Sequence, residues 1–475
     1  MVNAIHSVDC PSTFHSQEEL FHSSATLQRK VVDELSASVS RSSRMNEYFS
    51  QIFSAIVLLL LGGVNALLIW TLHRQWWKIR GVRRATWMVP LSGVLFAGLW
   101  ALSRFLGVAP TERLFAFLTS FFFVSFIGLI LSLPFSGTTL TLERIVRWGW
   151  KKWNGRKQGN LSAQVETRND NSETTPVEEI DVARRSLITR GAAAFPLIAV
   201  STGTFGLARS TASVVFPNVE MTFNDLPADL DGLRILHISD LHLGYYIRLE
   251  HLEELLIGAE AQRPDLVLIT GDTSDDLTVL SEALNMISQL RPRYGTFASL
   301  GNHEYYRGIG DVLRIFDRGP IPLFVEKNTT LKVGGSDLVI AGADDPVAAG
   351  EEGKGKESFL IRSVEKAFDS APSNAFHLLM SHRPEGFDHA SAMGIEMTVA
   401  GHTHAGGQLG WNGRSFFETW LGVGKYLWGY YEKNGGTSKL YTSAGAGHWL
   451  PFRLGVPREV PIYTLRRGRG MDNLA

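Results

Sequence analysis

Three long runs without a charged residue stand in the first third of the chain and limit what this part can fold into. They cover residues 52–72, 85–103 and 114–142, and are 21, 19 and 29 residues long. A helix needs about 20 apolar residues to cross a bilayer core of ~30 Å, so each run is long enough. We predict three transmembrane helices within residues 51–142, after a polar N-terminal segment at residues 1–50. Helices buried in a protein core are the alternative, but such helices seldom run this far without a charge.

A weaker fourth run covers residues 191–208 and is rich in small residues. It follows Arg184, Arg185 and Arg190, so this part of the chain is similar to a twin-arginine export signal that is placed internally. We predict a fourth membrane segment at residues 191–209. A helix that lies on a membrane surface or is buried in protein is the alternative reading.

Basic residues are unevenly distributed between the predicted membrane helices. Five follow the first helix and six follow the third, whereas the second connection carries only Arg104 and Arg113 beside Glu112. By the positive-inside rule the two basic segments are cytoplasmic, which makes residues 143–190 a basic and polar cytoplasmic linker. A spanning fourth segment then delivers the C-terminal half to the other side. We expect a multi-pass protein of the cell (inner) membrane, with its C-terminal domain in the periplasm or otherwise outside the cytoplasm.

Charge and cysteine content exclude several classes of protein. The net charge is -1, so no basic field across the chain favours a nucleic-acid partner. Cys10 is the only cysteine, which excludes an intramolecular disulfide framework and a cysteine-rich zinc module. The membrane is therefore the one macromolecular partner that the sequence indicates.

From about residue 215 the sequence changes to short apolar runs that alternate with amphipathic stretches. Helical periodicity covers residues 252–261 and 277–290. Strand-like runs cover residues 233–238, 266–270, 296–300, 376–380 and 397–400. Strands that alternate with helices are typical of an α/β fold, in which helices cover the sheets. We therefore predict an α/β domain over residues 215–470.

Each of the five strand-like runs is followed by Asp, Asn or His, usually beside glycine. In open α/β sheets ligands bind at the carboxyl ends of strands, so these loops are expected to meet at one place. Taken singly the residues have ordinary roles in turns, but together they form a set of metal ligands. The set is Asp240, His242, Asp272, Asn302, His382, His402 and His404. Carboxylate, amide and imidazole suit manganese, iron, zinc or cobalt, and seven ligands exceed what one ion takes from protein, which predicts two ions.

The order of these motifs resembles the calcineurin-like metallophosphoesterase family. The matching stretches are DLH at 240–242, GDTSD at 271–275, GNHE at 301–304, MSHRP at 380–384 and GHTH at 401–404. The resemblance extends over about residues 233–404. It is closest to a membrane-attached bacterial branch that has a GHTHGGQ-type loop, from which this chain departs by the additional Ala405.

The resemblance implies a fold, a cofactor and an activity. The fold is a double-sheet α/β/β/α sandwich. The activity is hydrolysis of a phosphoester by a metal-activated hydroxide, with manganese as the favoured metal and iron, zinc or cobalt as alternatives. The implied ligand sets are, for one divalent ion, Asp240, His242 and His404 and, for the other, Asn302, His382 and His402, with Asp272 bridging both.

The resemblance also implies roles for two residues that are not ligands. His303 would stabilise the phosphoryl group and protonate the leaving oxygen, and Asp275 would orient His303. Arg383, beside His382, is either a contact to phosphate or an ordinary surface arginine. No other substrate-binding residue is indicated.

Two other classes of function stay open at this point. A membrane receptor or scaffold with a purely structural metal site is one, although the presence of Asn302 and His303 argues against it. A transporter with an appended domain is the other, but the membrane runs lack the buried charges that usually mark ion or substrate paths. We expect a membrane-anchored phosphoesterase that acts on a mono-, di- or pyrophosphate bond in a lipid-linked or envelope-derived substrate.

Overall fold

The computed structural model describes residues 212–244, 246–350, 353, 355–448 and 451–468, together with residues 205, 206, 208–210 and scattered positions between 63 and 152. The predicted membrane runs, the linker and the polar N-terminal segment lie almost entirely outside the described residues and stay predictions. Within the described part of the chain, no helix combines the length and the apolar character that crossing a bilayer requires.

The first of two six-stranded sheets is mostly parallel. Its strands are β1 (Asn218–Phe223), β2 (Arg234–Ile238), β3 (Leu266–Thr270), β4 (Thr296–Ser299), β5 (Leu323–Phe324) and β14 (Ile462–Arg467). Their order across the sheet is β1-β14-β2-β3-β4-β5. Strands β2 to β5 are parallel, whereas β14 runs antiparallel to β2. Every residue of β3 is buried, as expected for a parallel strand that is covered on both faces.

The second sheet has a parallel centre and antiparallel edges. Its strands are β6 (Lys327–Val333), β7 (Ser336–Gly342), β8 (Phe376–Met380), β9 (Met397–Ala400), β12 (Gly429–Lys433) and β13 (Ser438–Thr442). Their order is β12-β13-β9-β8-β7-β6, in which only the edge strands β6 and β12 are antiparallel to their neighbours. Strands β10 (Gly410–Trp411) and β11 (Arg414–Ser415) form a separate short hairpin.

Helices cover the outer faces of both sheets. They are α1 (Leu249–Ala261), α2 (Leu277–Ser288), α3 (Asn302–Arg318), α4 (Lys356–Ala367) and α5 (Gly386–Ala392). Two short elements, α6 (His404–Gly407) and α7 (Phe416–Leu421), lie instead beside the β10–β11 hairpin. Helices α1 to α3 pack on the first sheet, where Leu252, Leu284 and Phe316 join one apolar cluster with strand residues. Helices α4 and α5 pack on the second sheet through a separate cluster that includes Val364 and Ala390.

The two sheets pack face to face through a third apolar cluster. Alternate residues of each strand point to opposite faces, so Ile235 of β2 enters this cluster while Leu236 joins the layer under the helices. Leu268 of the first sheet and Leu378 of the second sheet lie in the same inner layer. The architecture is thus the α/β/β/α sandwich that the resemblance implies.

Several predicted elements have the bounds that the sequence suggests. Strands β3, β8 and β9 begin and end at the predicted residues. Helix α1 begins at Leu249, three residues before the predicted start, because the polar Glu250 and His251 separate Leu249 from the apolar pattern that begins at Leu252. There the backbone N–H of Arg248 donates to Nδ1 of His251, which caps the helix.

Candidate metal centre

The predicted ligands follow the carboxyl ends of five strands and lie together at one edge of the sandwich. Several of them have left-handed backbone conformations, with φ angles of +52° at Asp240, +48° at His242, +51° at Asp272, +69° at His402 and +46° at His404. A side-chain-bearing residue in this region costs roughly 1–2 kcal/mol. Strain of this kind is concentrated at functional sites, where the surrounding fold holds it in place.

One group of possible ligands consists of Asp240, His242 and His404, all of which are buried. Nε2 of His242 lies 3.1 Å from Nε2 of His404. Nε2 of His404 lies 3.5 Å from Oδ1 of Asp240. Two ring nitrogens and a carboxylate oxygen therefore face one point, which is the arrangement that a divalent cation requires.

A second group consists of Asp272, His382 and His402, with Asn302 beside it. Nε2 of His382 lies 3.2 Å from Oδ2 of Asp272 and 3.2 Å from Oδ1 of Asn302. The same Oδ2 of Asp272 lies 3.5 Å from Nε2 of His242, so this carboxylate stands between the two groups. His242, Asp272 and His303 also form a third possible combination.

Hydrogen bonds on the outer side of two histidines orient their inner nitrogens. Nδ1 of His382 lies 2.7 Å from the carbonyl oxygen of Thr270, and Nδ1 of His242 lies 3.2 Å from Oδ2 of Asp275. A carbonyl or carboxylate that occupies Nδ1 leaves Nε2 as the atom available to a metal. The ring positions of His242 and His382 therefore suit metal ligation.

The histidines differ in charge. Burial lowers the pKa of His402 and His404 well below the usual value, and nearby positive groups add to this effect. Burial also opposes the charged form of His382, but the carboxylates of Asp272 and Asp240 outweigh it and raise its pKa to about 10. His402 and His404 are thus neutral imidazoles at pH 7, which is the form that binds metals.

Nearby histidine rings lower the pKa values of two carboxylates. Burial alone would raise the pKa of Asp272, but His382 and His303 hold it well below the usual value. The pKa of Asp275 is likewise held low by His242 and His303 against the effect of burial. Asp272 and Asp275 are therefore ionised over the whole neutral range, which favours cation binding.

Glu304 is a part of the site that motif reading does not predict as functional. Its buried carboxylate accepts hydrogen bonds from the backbone N–H groups of Asp272, Thr273 and Gly301, at 2.9, 2.8 and 2.8 Å. These bonds join the loops after β3 and β4, so Glu304 fixes the positions of Asp272 and Asn302 relative to each other. An acid three residues into a helix is a recognisable capping signal.

His303 lies beside the two groups and faces a cavity. Its Nδ1 lies 2.6 Å from Oδ1 of Asp275, and its backbone N–H donates to Oδ1 of Asp272 at 2.9 Å. Nε of Arg307 also donates to Oδ1 of Asp275, at 3.1 Å. The cavity has a volume of about 260 Å³ and is lined by Asp272, Asn302, His303, His402, Thr403, His404, Gly407 and Gln408.

Arg383 is buried and bound to an acidic residue that the sequence does not single out. Its Nε and Nη2 donate to the carboxylate of Asp345, at 2.7 and 3.2 Å, and its Nη1 lies 2.6 Å from Nε2 of His402. The reading of Arg383 as an ordinary surface arginine is therefore wrong. The guanidinium instead lies against the ring of His402 and limits how that ring can turn.

The GHTHAGG loop needs glycine where its backbone lies against the side chains of Ser239 and Asp240. A Cβ on Gly401 would collide with Oγ of Ser239 and Oδ2 of Asp240. From His404 to Gln408 five consecutive residues have positive φ, between +46° and +83°. Ala405 in this turn is buried in a small cluster with Trp428, Ala444 and Val456.

Comparisons with known proteins agree with this geometry. Residues 233–406 match the family model of calcineurin-like phosphoesterases. An uncharacterized metallophosphoesterase of Campylobacter jejuni is 30% identical over 53% of this chain and 63% of its own length. One of Aquifex aeolicus is 29% identical over 50% of this chain and 86% of its own length.

A vertebrate relative is named for a membrane region as well. A transmembrane protein with a metallophosphoesterase domain from Danio rerio is 26% identical over 55% of this chain and 60% of its own length. This chain spans less than two thirds of the length of the Campylobacter and Danio relatives. The family model and these relatives together support a calcineurin-like metallophosphoesterase domain in this chain.

Proposed function

We propose that the chain is a hydrolase of phosphoesters that works with two divalent metal ions. The observation that carries this proposal is the position of Asp272, whose carboxylate stands between two groups of buried ligands. Both groups open on one cavity that His303 also lines. A purely structural site has no use for such a cavity or for an oriented imidazole at its edge.

The donor set fits the proposed ions. Three oxygen-bearing and four imidazole ligands suit manganese, iron, zinc or cobalt, and manganese stays the metal that we favour. Asp240, His242 and His404 would hold one ion, and Asn302, His382 and His402 the other, with Asp272 shared. Such ions, when bound, would lower the pKa of a coordinated water molecule and neutralise charge on phosphate oxygens.

The residues of the chain supply positioning and a proton. His303 would donate a proton from Nε2 to the leaving oxygen, because Asp275 occupies its Nδ1. Asp275 and Arg307 hold that ring in place, and Glu304 holds the loops that carry Asp272 and Asn302. A receptor or scaffold with an inert site is the alternative to this function.

We further propose that the domain acts beside a membrane. The uncharged runs at residues 52–72, 85–103 and 114–142 support anchorage, and the name of the Danio rerio relative agrees with it. The basic bias of the loops supports a domain outside the cytoplasm. A substrate held in or at the bilayer, such as a lipid-linked phosphate or pyrophosphate, would suit a domain so placed.

A panel of phosphoesters tests the proposed activity. Full-length protein in detergent is assayed on mono-, di- and pyrophosphate esters, soluble and micellar, after loading with manganese, zinc, iron, cobalt or magnesium. We expect hydrolysis of at least one class, abolished in Asp272→Ala. A chain that binds two ions and hydrolyses none of the esters would favour the receptor or scaffold.

C-terminal fusions test the proposed side of the membrane. Alkaline phosphatase is active only outside the cytoplasm, whereas a fluorescent protein matures inside it. We expect an active phosphatase fusion, and a bright fluorescent fusion with inactive phosphatase would place the domain in the cytoplasm.

A further inference from the structure

Beside the metal centre, the fold exposes a set of large apolar side chains within a short stretch of sequence. We call this set the aromatic surface; its members are Trp411, Phe416, Phe417, Trp420, Leu421 and Val423. Trp411 is 78% exposed and Trp420 is 73% exposed. A contiguous set of this kind is unusual on a protein surface that faces only water, and it generally marks a contact with a protein or a membrane.

The surrounding structure holds this surface outward. Trp411 lies on the β10–β11 hairpin, and Phe416 to Leu421 form the short helix α7. The carboxylate of Glu418 on that helix accepts hydrogen bonds from the backbone N–H groups of Tyr426 and Leu427 and from the hydroxyl of Tyr431, at 3.1, 2.9 and 2.6 Å. The loop is thus tied to the domain by its polar side, which turns its apolar side chains toward the outside.

The charges around the aromatic surface suit lipid headgroups. Glu418 is the only acidic residue between positions 409 and 425, and its carboxylate points inward. The basic residues of the same stretch are Arg414, which is exposed, and Lys425, which pairs with Asp388. Tryptophan beside basic residues is typical of the layer between lipid tails and water.

The segment that precedes the domain contacts residues next to the aromatic surface. The backbone N–H of Arg453 donates to the carbonyl of Gly206, at 2.9 Å, so the end of the predicted fourth membrane run contacts the segment around Arg453. The adjacent Leu454 donates to the carbonyl of Gln408 and accepts from the N–H of Gly410, at 2.9 and 3.1 Å. The segment at 453–454 therefore joins Gly206 to the base of the hairpin that carries Trp411.

The aromatic surface is also adjacent to the metal centre. Gly406 in the turn after His404 packs so closely on the hairpin and the loop after it that a Cβ would lie 2.5 Å from Oγ of Ser415 and 2.8 Å from a methyl group of Leu427. Gly407 and Gln408, which follow it, line the cavity. One continuous stretch of chain thus runs from the ligand His404 to Trp411.

We propose that the aromatic surface lies in the interfacial layer of a lipid bilayer and holds the cavity of the metal centre against the membrane. The position of Gly206 places the end of the predicted membrane run on this side of the domain, and the exposed side chains are of the types that favour the interface. Lipid, rather than a second copy of the chain or a segment of its own, is the proposed occupant. The inference does not depend on hydrolytic activity.

A fluorophore on single cysteines tests this contact directly. In full-length Cys10→Ser protein, Trp411→Cys or Trp420→Cys is labelled with a polarity-sensitive dye. The protein is then reconstituted into vesicles of phosphatidylcholine and phosphatidylglycerol, with or without bromine on the acyl chains. Lys332→Cys is the matched control, because Lys332 is exposed on β6 near its turn to β7, at the opposite end of the strands from the metal centre.

We expect emission from positions 411 and 420 to shift to the blue and to lose roughly half of its intensity to brominated lipid, since side chains of interfacial segments lie ~5–10 Å into the headgroup boundary. Emission from position 332 should match that of a dye in water. Water-like emission at both test positions would overturn the proposal. A blue shift without bromine quenching would also overturn it, because it would mean that protein and not lipid covers the surface.

Discussion

Nδ1 of His303 lies 2.6 Å from Oδ1 of Asp275, and this contact fixes which nitrogen of the ring faces the cavity. An ionised carboxylate on Nδ1 keeps the proton there, so Nε2 is the nitrogen that meets the substrate. Because the pKa of Asp275 is held low by His242 and His303, this relationship persists across the neutral pH range. The ring is thus oriented before any substrate arrives.

Replacing His303 should have an effect that depends on the leaving group. Proton donation typically contributes about 10²–10⁴-fold, so we expect His303→Ala to lose roughly that factor in kcat/KM on an alkyl phosphoester. A nitrophenyl ester leaves without a proton and should lose much less. Asp275→Asn should show a milder form of the same dependence on the leaving group, because it misorients the His303 ring. Since Asp275 also contacts Nδ1 of the predicted ligand His242, any loss of metal in this variant adds a second effect that is equal for both esters.

His402→Ala is the contrasting variant for this measurement, since the loss of a predicted ligand should depress both esters alike. Metal content is checked in each protein. Equal losses on the two esters in His303→Ala, with both metals retained, would remove His303 from the role of proton donor.

Asp272 is expected to control the binding of both ions. Elemental analysis of purified full-length protein should give about two divalent ions per chain, as in two-metal centres. Asp272→Ala should lose both, because its carboxylate contacts ligands of both groups. Asp388→Ala removes a carboxylate on helix α5 that belongs to neither group and should keep both ions. A single ion in the unmodified protein, or two in Asp272→Ala, would contradict the two-metal proposal.

Metal binding should release protons from His382 and His242, because nearby carboxylates raise the pKa of both rings. Asp272 and Asp240 raise the pKa of His382 to about 10 without metal, so its ring is charged at pH 7 and must lose a proton to become a ligand. Affinity should therefore rise with pH, by about tenfold per unit for each proton released, until the pH approaches 10. His402 and His404 are already neutral and should contribute no protons.

Calorimetry in buffers of different ionisation enthalpy counts these protons. We expect His382→Ala to lower the count by about one, because this variant lacks the charged ring that must lose a proton before it can bind metal. His377→Ala is the matched control: His377 lies on strand β8, which ends two residues before His382, and Glu396 raises its pKa, but it is not among the possible ligands. Binding at pH 7 with no proton release would refute this account of His382.

Gly401 should not tolerate a side chain. Its Cβ would meet Ser239 and the carboxylate of Asp240, and overpacking of this kind costs about 1–3 kcal/mol. We expect Gly401→Ala to lower the melting temperature and to weaken metal binding, because Asp240 must move. Gly353→Ala is the control, since in the described part of the chain no atom outside its immediate neighbours lies within 4 Å of the Cβ position there. Unchanged metal affinity in Gly401→Ala would show that Asp240 does not need its present position.

Sequence alone could predict the strands that end at the metal centre. Strands β3, β8 and β9 are short, apolar and buried on both faces, so their runs stand out from the surrounding chain. The runs at residues 233–238 and 296–300 likewise predict β2 and β4, each to within one residue. The remaining strands are not predicted from such runs. Most residues of strand β6 are polar and only one is buried, so it does not form an apolar run. The local sign of its pairing with β7 is the two-residue turn of Gly334 and Gly335 that joins them.

The supporting residues were harder to predict than the ligands. Arg383 and Asp345 are 38 positions apart, and nothing in the sequence around Asp345 marks it as the partner of a buried guanidinium. Glu304 carries a helix-capping signal, but its contacts with the loop after β3 depend on how two strands lie side by side. Ligand types follow local rules, whereas the groups that hold them depend on the assembled sheets.

The shared carboxylate of Asp272 has a consequence for how the two ions would respond to each other. If one residue belongs to both groups, the two binding equilibria form a single thermodynamic system, and any change that one ion makes in the affinity for the other is returned by the same factor. Exchange of the metal in one position would then alter retention in the other. When a chelator removes the metals, the loss of one ion should therefore change the affinity for the ion that remains. The two losses should not be independent of each other.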